Sequence, residues 1–173
     1  MIECHVGPSP LGHILYRAEH DALTGLFFIG QKHFPAHVHE REQTLSDAPP
    51  VSRAIAAAQE QIADYFAGQR ASFDLPLRLG GTEFQRRVWE LLQQIPFGDA
   101  WTYGDLARRL GLPPGAARAV GGANGRNPVA IIVPCHRVIG GDGELTGYAG
   151  GVERKRHLLT LEGGPGREQL ALF

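Results

Sequence analysis

The chain has 173 residues, enough for one large domain or two small ones, and its hydrophobic fraction of 43% is that of an ordinary globular protein. No apolar run approaches the ~20 residues that span a bilayer, and the acidic N-terminus lacks the basic leader of a signal peptide. A cytoplasmic protein without a membrane partner is expected. Its two cysteines, Cys4 and Cys135, form neither a CxxC pair nor a disulfide framework.

The net charge of −1 hides an asymmetry between the two halves of the chain. Residues 1–80 contain six Lys or Arg against nine Asp or Glu, whereas residues 81–173 contain eleven against nine. The stretch 103–137 contains one acid, Asp105, and five arginines: Arg108, Arg109, Arg118, Arg126 and Arg137. This pattern fits either a basic face that attracts phosphates or a solvated arginine-rich surface, and charge alone leaves both open.

The first third of the chain has the pattern of a small β-rich unit. Three short apolar stretches separated by turn-forming residues predict strands near 2–6, 12–18 and 22–29. Residues 30–50 are predicted to be a loop.

A helix over 51–67 is predicted next, from apolar residues near helical spacing and from Gly68 as its stop. A break follows at 75–82, and after it the sequence pattern becomes helical. We therefore expect two domains, an N-terminal α/β support domain over 1–78 and a helical C-terminal domain over 79–173.

Two capping signatures begin helices in the second half. Thr82 with Gln85 forms a capping box for a helix that ends at Pro96-Phe97-Gly98, and Thr102 with Asp105 opens a shorter one.

The shorter helix runs through Leu110, and Pro113-Pro114 starts another from Gly115 to about Ala123. Two short helices joined by a tight glycine-containing turn, the second rich in small residues and carrying Arg118, suggest a helix-turn-helix. Helical hairpins of this length are common, so the pattern alone is a weak sign of DNA binding.

The segment NPVAIIVPCHRVI, residues 127–139, carries the most reactive chemistry. The apolar run Val129–Val133 predicts a buried stretch, and Pro134 stiffens the chain immediately before Cys135. A thiol becomes a useful nucleophile when positive charge or a base favours its thiolate. Neighbouring side chains of an extended chain point apart, so a base role for His136 requires helical backbone or a bridging water. The alternative is a small buried cysteine beside an ordinary histidine.

The downstream segment GELTGYAGG predicts a hairpin or wing with Tyr148 near its end, and residues 152–162 predict a last helix. Arg154, Lys155 and Arg156 form a basic cluster on this helix. Glu162 at its end is a candidate acid to orient His136.

These segments together resemble the O6-alkylguanine-DNA alkyltransferases, the methylated-DNA–protein-cysteine methyltransferases. The resemblance covers 81–163 almost without interruption and is carried by GTEFQRRVWELLQQIPFGDAWTYGDLARRLG, ARAVGGANGRNPVAIIVPCHRVI and LTGYAGGVERKRHLLTLEG. Residues 1–80 match only in length, element order and the SPLG turn at Ser9–Gly12. The resemblance implies an α+β protein, with a ribonuclease-H-like N-terminal domain and a winged-helix-like helix-turn-helix in the C-terminal one.

The resemblance also implies the activity: direct reversal of damage by irreversible, single-turnover transfer of an alkyl group to Cys135 from O6-alkylguanine, with O4-alkylthymine as a second candidate substrate. In this scheme His136 acts as base through a water and Glu162 polarises it. Asn127 holds the turn of the reactive segment. Tyr103 rotates the nucleotide's phosphate and donates a proton to N3 of the leaving guanine. No cofactor is implied.

The implied partner is double-stranded DNA that contains O6-alkylguanine, bound by a monomer through the minor groove with the damaged base flipped out. Arg118 would fill the gap in the stack, and small residues would let the helix approach DNA closely. The predicted DNA-binding residues are Tyr103, Ala117, Arg118, Gly121 and Asn124.

Backbone groups of residues 134–138 would recognise the guanine edge, and Tyr148 would wall the substrate pocket. The predicted pocket residues are Pro134, Val138, Tyr148 and Ala149. Some relatives carry Ser at the position of Ala149, so the breadth of the pocket is expected to differ.

Some members of the family bind a structural zinc ion through two Cys and two His. Here Cys4 is accompanied by several histidines and no second cysteine, so a solvated His-rich loop is expected instead of a metal site. The N-terminal histidines are His5, His13, His20, His33, His37 and His39.

Two other functions fit parts of the sequence. An alkyltransferase-like protein that flags lesions without repairing them usually has Trp in place of the reactive cysteine, so Cys135 argues against it. An unrelated thiol protease or acyltransferase would leave the basic helix-turn-helix unexplained.

Overall fold

The structure is a computed structural model that describes residues 2–38 and 40–163, without the side chains of Glu40 and Arg41. The chain divides into two compact units. One comprises the chain up to Gly80 together with Pro128–Ala130, and the other comprises Gly81–Asn127 and the chain from Ile131 onward. No helix in the described part is both long and apolar enough to cross a membrane.

The first unit is built on a three-stranded antiparallel sheet: β1 (Ile2–Gly7), β2 (Ile14–Glu19) and β3 (Ala22–Phe28), in that order. The two-residue turn between β2 and β3 is formed by His20 and Asp21, with φ of 49° and 61°. Positive φ at both positions is the requirement of a type I′ hairpin. The three strands predicted from the sequence are confirmed.

One helix, α1 (Arg53–Phe66), packs on this sheet. Ser52 caps it by accepting a hydrogen bond from the Ile55 amide, and its buried face includes Ile55 and Tyr65. The helix begins two residues later and ends one residue earlier than predicted. The predicted loop before it contains a short 3-10 helix at Glu40–Gln43.

The outer edge of β3 is covered by two short chain segments. The Leu23 amide donates to the carbonyl of Pro76, and the Leu26 amide donates to that of Pro128. Arg78 and Ala130 return hydrogen bonds to the same two residues of β3. Pro128–Ala130 therefore belongs to the first unit because its backbone completes the sheet edge, which the sequence analysis did not anticipate.

The second unit is mainly helical. Its elements are α2 (Glu83–Leu92), β4 (Trp101–Thr102), α3 (Tyr103–Arg109), α4 (Ala117–Gly125), β5 (Val138–Ile139) and α5 (Val152–Glu162). Both predicted capping boxes are present, Thr82 with Gln85 at the start of α2 and Thr102 with Asp105 at the start of α3. Each satisfies two backbone amides that the first turn leaves without partners.

The helices α3 and α4 pack against each other and are joined by a tight turn, as expected for a helix-turn-helix. Gly111 takes a φ of 72° directly after α3, and the Leu112 amide closes the helix on Ala107. A 3-10 turn at Pro114–Ala116 precedes α4, so the α-helix begins two residues later than predicted and continues to Gly125.

The hairpin predicted around Tyr148 is not formed. Residues 140–151 contain a turn closed by the Gly140 amide on the Glu144 carbonyl, and no strand. Gly143, Gly147 and Gly151 have φ of 86°, 56° and 92°, which interrupt any regular pairing. The only partner of β5 in the described chain is β4, which runs parallel to it.

Candidate active site

The backbone that leads to Cys135 is buried and sharply bent. Ile131 has a φ of 70°, a left-handed conformation that strains a β-branched side chain. Pro134 follows with φ −82° and ψ 63°, and the Cys135 amide donates to the Val133 carbonyl at 2.8 Å. These values describe an inverse γ-turn centred on Pro134. Cys135 then begins a 3-10 turn that ends at Arg137.

Asn127 fixes this bend from the side. Its buried Nδ2 donates to the Val133 carbonyl at 2.7 Å. A hydrogen bond from Asn127 also acts on Cys135 and favours its thiolate. The same amide therefore shapes the turn and influences the sulfur.

Cys135 is 5% exposed, and burial raises the pKa of its thiol. The hydrogen bond from Asn127 and the positive charge of Lys155 oppose this shift without cancelling it. Cys135 is therefore a protonated thiol at neutral pH, and its reaction as a nucleophile requires a base.

His136, the residue after Cys135, forms a buried pair with Glu162. His136 is fully buried, and its Nε2 lies 2.7 Å from Oε2 of Glu162. Burial lowers the pKa of His136 although Glu162 opposes the change, so the ring is neutral at neutral pH. Burial alone would raise the pKa of Glu162, but the hydrogen bonds and charges of His136 and Arg137 outweigh it and lower the pKa to about 2.

The ionised carboxylate fixes the tautomer of the imidazole. Since Glu162 only accepts hydrogen bonds, Nε2 of His136 carries the ring proton and Nδ1 presents a lone pair. Nδ1 is buried and has no hydrogen-bond partner in the described chain. The site thus holds an unused proton acceptor on the residue next to Cys135.

Arg137 completes the network and is not part of a basic surface. Its Nε donates to Oε1 of Glu162 at 2.7 Å and its Nη2 to Oε2 at 3.1 Å, while Nη1 donates to the Ile95 carbonyl at 2.7 Å. This fork satisfies both carboxylate oxygens. The hypothesis that Arg137 contributes to an exposed basic face is wrong, because the guanidinium is buried against Glu162.

Lys155 is likewise buried, contrary to its prediction as part of a basic cluster. It is 0% exposed, and its Nζ donates to the carbonyls of Val138 at 2.5 Å and Thr146 at 2.9 Å. Burial lowers the pKa of Lys155 to about 8, and the negative charge that Cys135 carries as a thiolate acts in the opposite direction. The ammonium therefore lies within electrostatic reach of the sulfur and holds the loop that precedes Tyr148.

Two tyrosines stand near the same sulfur. The Tyr103 hydroxyl donates to the Thr146 carbonyl at 3.3 Å, and its ring lies 3.6 Å from the point where a Cβ would stand at Gly121. The Tyr148 hydroxyl is buried without a hydrogen-bond partner among the described residues. Burial is the main cause that raises the pKa of each phenol, and the negative charge of Cys135 in its thiolate form adds to it.

Four of the five predicted DNA-binding residues lie on α4, divided between its two faces, whereas Tyr103 begins α3. Arg118 is exposed, and Ala117 and Gly121 are partly exposed. Asn124 lies on the opposite, buried face, where its Nδ2 donates to the Cys135 carbonyl at 3.4 Å. The structure therefore does not place Asn124 on the surface available to DNA.

Two of the predicted pocket residues lie in or next to the reactive turn, and the other two follow it in the chain. Pro134, Val138 and Tyr148 are buried, and Ala149 is partly exposed. Val138 also pairs with Trp101 in the short parallel sheet.

No group of three or more His, Cys, Asp or Glu within residues 2–38 and 40–163 is arranged to hold a metal ion. Cys4 is a free, half-buried thiol that packs at the edge of the core of the first unit. His39 lies outside the described residues. A cavity of about 630 Å³ in this unit is bounded by His5, Tyr16, Gln59 and Phe66, and it contains none of the predicted site residues.

Comparisons with known proteins cover both units. The family profile of the 6-O-methylguanine DNA methyltransferase DNA binding domain matches residues 83–164, and the profile of the ribonuclease-like domain of the same family matches residues 2–79. The chain belongs to the 6-O-methylguanine DNA methyltransferase family. Both profiles agree with the resemblance and the α+β fold expected from the sequence.

Individual members of the family are similar over the whole chain. A methylated-DNA–protein-cysteine methyltransferase of Mycolicibacterium paratuberculosis is 47% identical over 173 residues, which is 100% of this chain and 99% of that protein. The crystal structure of the Mycobacterium tuberculosis O6-methylguanine methyltransferase has a TM-score of 0.80 at 46% identity and covers 94% of this chain and 93% of its own. The structure of Mycobacterium tuberculosis OGT in complex with DNA has a TM-score of 0.81 at 45% identity, over 96% of this chain and 98% of that one.

The sequence analysis missed that Lys155 and Arg137 are buried, although the sequence contains a sign of each. Lys155 and Glu162 share a helical stripe with Leu158 and Leu159, at spacings of three, four and seven residues, and all four are buried. Arg137 follows a buried apolar run and precedes Val138, so a paired internal charge was a possible interpretation. Its partner, 25 residues further along the chain, could not be identified from spacing.

Proposed function

We propose that this chain repairs alkylated DNA by direct reversal, moving the alkyl group from O6 of guanine to Sγ of Cys135. The observation that carries the residue assignment is the buried, neutral His136, whose Nδ1 has no partner among the described residues and whose Nε2 is fixed by Glu162. The thiol next to it is protonated and needs such an acceptor.

The reaction balances without a cofactor. The thiol proton passes to Nδ1 of His136, directly or through a water. Sγ of Cys135 then attacks the alkyl carbon, the S–C bond forms and the C–O6 bond breaks. The electron pair of that bond stays with guanine, which takes a proton from the Tyr103 hydroxyl. A thioether on Cys135 is left, and because no described group could cleave it, each molecule acts once.

The DNA-binding surface in this proposal is the outer face of α4. Arg118, Ala119 and Gly122 are exposed there, and Ala117 and Gly121 are partly exposed. Small side chains allow close approach to a minor groove, and an inserted arginine offsets part of the few kcal/mol that base flipping requires. Arg118 is the exposed long side chain that suits this role.

The neighbouring side chains organise the pocket. Asn127 and Pro134 set the bend that presents Cys135, while Tyr148 and Ala149 form its wall and Val138 its floor. Asn124 is assigned a role within the protein instead of a DNA contact, because it is buried beneath α4. We further propose that the protein works as a monomer in the cytoplasm, where a reducing milieu keeps the free Cys135 thiol intact.

Mass spectrometry tests the assignment. The protein is incubated with a duplex containing O6-methylguanine, weighed intact and mapped by peptides. We expect a gain of one methyl group per chain, located on Cys135. Cys135→Ala should gain none, whereas Cys4→Ala, which removes the other thiol, should behave as wild type. Methylation elsewhere, or an unmodified wild-type chain, would contradict the proposal.

A further inference from the structure

Asn124 is the polar residue on the inner face of α4. The buried residues of this helix are Val120, Ala123 and Asn124, whereas Arg118 and Gly122 are exposed on the other side. Asn124 is 1% exposed. It therefore faces the interior of the second unit while its own helix carries the proposed DNA surface.

The amide of Asn124 reaches the nucleophile's own backbone. Its Nδ2 donates to the Cys135 carbonyl at 3.4 Å, and the same carbonyl accepts the Val138 amide in the 3-10 turn. A carbonyl oxygen has two lone pairs and can accept both. The orientation of the amide follows, since only the nitrogen can face an acceptor, and Oδ1 is left buried without a partner in the described chain.

The end of α4 that carries Asn124 is firmly attached. Nε1 of Trp89 on α2 donates to the Ala123 carbonyl at 2.8 Å, and the Asn127 amide donates to the Asn124 carbonyl at 3.3 Å. A displacement of this helical turn is therefore passed directly to the chain that leads to Cys135.

A buried asparagine with an unpaired oxygen is an unfavourable choice on stability grounds alone. Desolvation of a polar atom without a hydrogen bond opposes folding, and an apolar side chain of similar size such as Leu would fill the same space without that penalty. An unsatisfied buried group of this kind calls for an explanation in the working of the protein.

We propose that Asn124 is a positioning residue that fixes the Cys135 carbonyl relative to α4, so that the helix seated on DNA and the sulfur come into register. The proposal rests on the function proposed above. Its physical content is a single hydrogen bond between the DNA-binding helix and the reactive turn, and Asn124 touches neither DNA nor substrate.

Three measurements on Asn124→Leu test this role: affinity for the methylated duplex, the first-order rate of transfer from that duplex at saturation, and the rate at which iodoacetamide alkylates Cys135. We expect the transfer rate to fall by about tenfold or more, as for the loss of one aligning hydrogen bond. Duplex affinity and the iodoacetamide rate should stay unchanged, since neither depends on the register between helix and sulfur.

Asn124→Met provides a second substitution, because its side chain fills a similar space and offers no donor to the Cys135 carbonyl. It should slow transfer to a similar extent. Val120→Ala is the matched control: it removes buried volume from the same face of α4 without removing a hydrogen bond to the reactive turn, and it should lower the melting temperature while leaving the transfer rate intact. Circular dichroism on each variant establishes that it is folded.

Three results would overturn the role of Asn124. An unchanged transfer rate in both Asn124 variants would show that the hydrogen bond is irrelevant. A loss confined to duplex affinity would make Asn124 a DNA contact, and an equal loss in the iodoacetamide rate would mean a general disturbance of the thiol. Failure of the proposed function itself is distinguishable, because the wild-type chain would then take no methyl group.

Discussion

Nε2 of His136 lies 2.7 Å from Oε2 of Glu162, and neither side chain is exposed to solvent. The pair is asymmetric: the carboxylate is ionised and the imidazole is neutral. Arg137 supplies the balancing charge, so the buried cluster is neutral as a whole. The proton acceptor left over is Nδ1 of His136, and its availability depends on Glu162.

Glu162→Gln should slow transfer and weaken the fold together. Gln keeps the size of the side chain but leaves the Arg137 guanidinium buried without its counter-charge, which typically costs about 3–5 kcal/mol. The tautomer of His136 is also no longer fixed, so we expect transfer from methylated duplex to fall by about 10²-fold. Urea denaturation and single-turnover kinetics measure the two effects.

The matched control is Glu153→Gln on the same helix. Glu153 pairs with Arg156 at 2.5 Å on the surface, where an ion pair contributes little. Loss of this ion pair should change neither the unfolding free energy nor the transfer rate appreciably. If both substitutions had equal effects, the buried cluster would have no special importance.

The stability of the protein should fall in acid because of Glu162. Its pKa is about 2 in the folded protein against an ordinary 4.5, so the unfolded chain binds the proton first as the pH drops. The contribution, about 3 kcal/mol from this difference, is complete above pH ~4.5 and is lost as the pH falls towards ~2. Buried His136, with its lowered pKa, adds a loss that begins below its ordinary 6.5.

Denaturation of wild type and Glu162→Gln from pH 7 to pH 3 checks this assignment. The gap in unfolding free energy between the two proteins should narrow on the acid side, because protonation of Glu162 in the unfolded chain stabilises the unfolded state of the wild type alone. A gap that stays constant over this range would mean that Glu162 is not the group responsible.

The sequence predicted features that depend on neighbouring residues better than contacts between residues far apart in the chain. Capping boxes such as Thr82 with Gln85 are local, and the structure has them where the sequence indicated. The His136–Glu162 pairing was available only through the resemblance, because 26 residues separate the partners.

The errors share one physical cause, namely the assumption that charged and amide side chains face solvent. Lys155, Arg137 and Asn124 all point inward, because buried backbone carbonyls or a carboxylate accept their hydrogen bonds. Lys, Arg and Asn are mostly exposed in folded proteins, so these three residues were expected at the surface. Helical phase identifies Lys155 as internal, but the loop carbonyl of Thr146 that it binds is set by tertiary structure alone.

The free energy of unfolding of the wild type should increase at alkaline pH because of Lys155, and Lys155→Met should remove this increase. The folded pKa of Lys155 is about 8 against 10.5 for the free side chain, so between these values the unfolded chain holds a proton that the folded chain has released. Stability from this group therefore increases as the pH rises from about 8 to about 10.5, by about 3 kcal/mol. Denaturation from pH 7.5 to pH 10 measures it in wild type and variant.

Arg156→Met is the control for the loss of one positive charge on α5. Arg156 is paired with Glu153 and is partly exposed, so its removal should leave the alkaline rise in place. An alkaline rise that persists in Lys155→Met would assign it to another group.

Arg118→Ala should slow repair of duplex DNA more than transfer from free O6-methylguanine base. Arg118 is exposed at the first turn of α4, and its proposed task is to occupy the stack vacated by the flipped nucleotide. A free base needs no flipping, so only the duplex reaction loses this stabilisation. We expect a reduction of about tenfold on the duplex, equivalent to ~1.4 kcal/mol, and none on the free base.

Arg126→Ala separates this role from simple charge. Arg126 is exposed immediately after α4 and carries the same charge. Its loss should weaken duplex binding modestly and reduce the salt dependence of affinity, as for a phosphate contact, without changing the saturated transfer rate. Equal effects of the two substitutions on that rate would reduce Arg118 to one more phosphate-binding cation, and the flipped-base geometry would then lack its support.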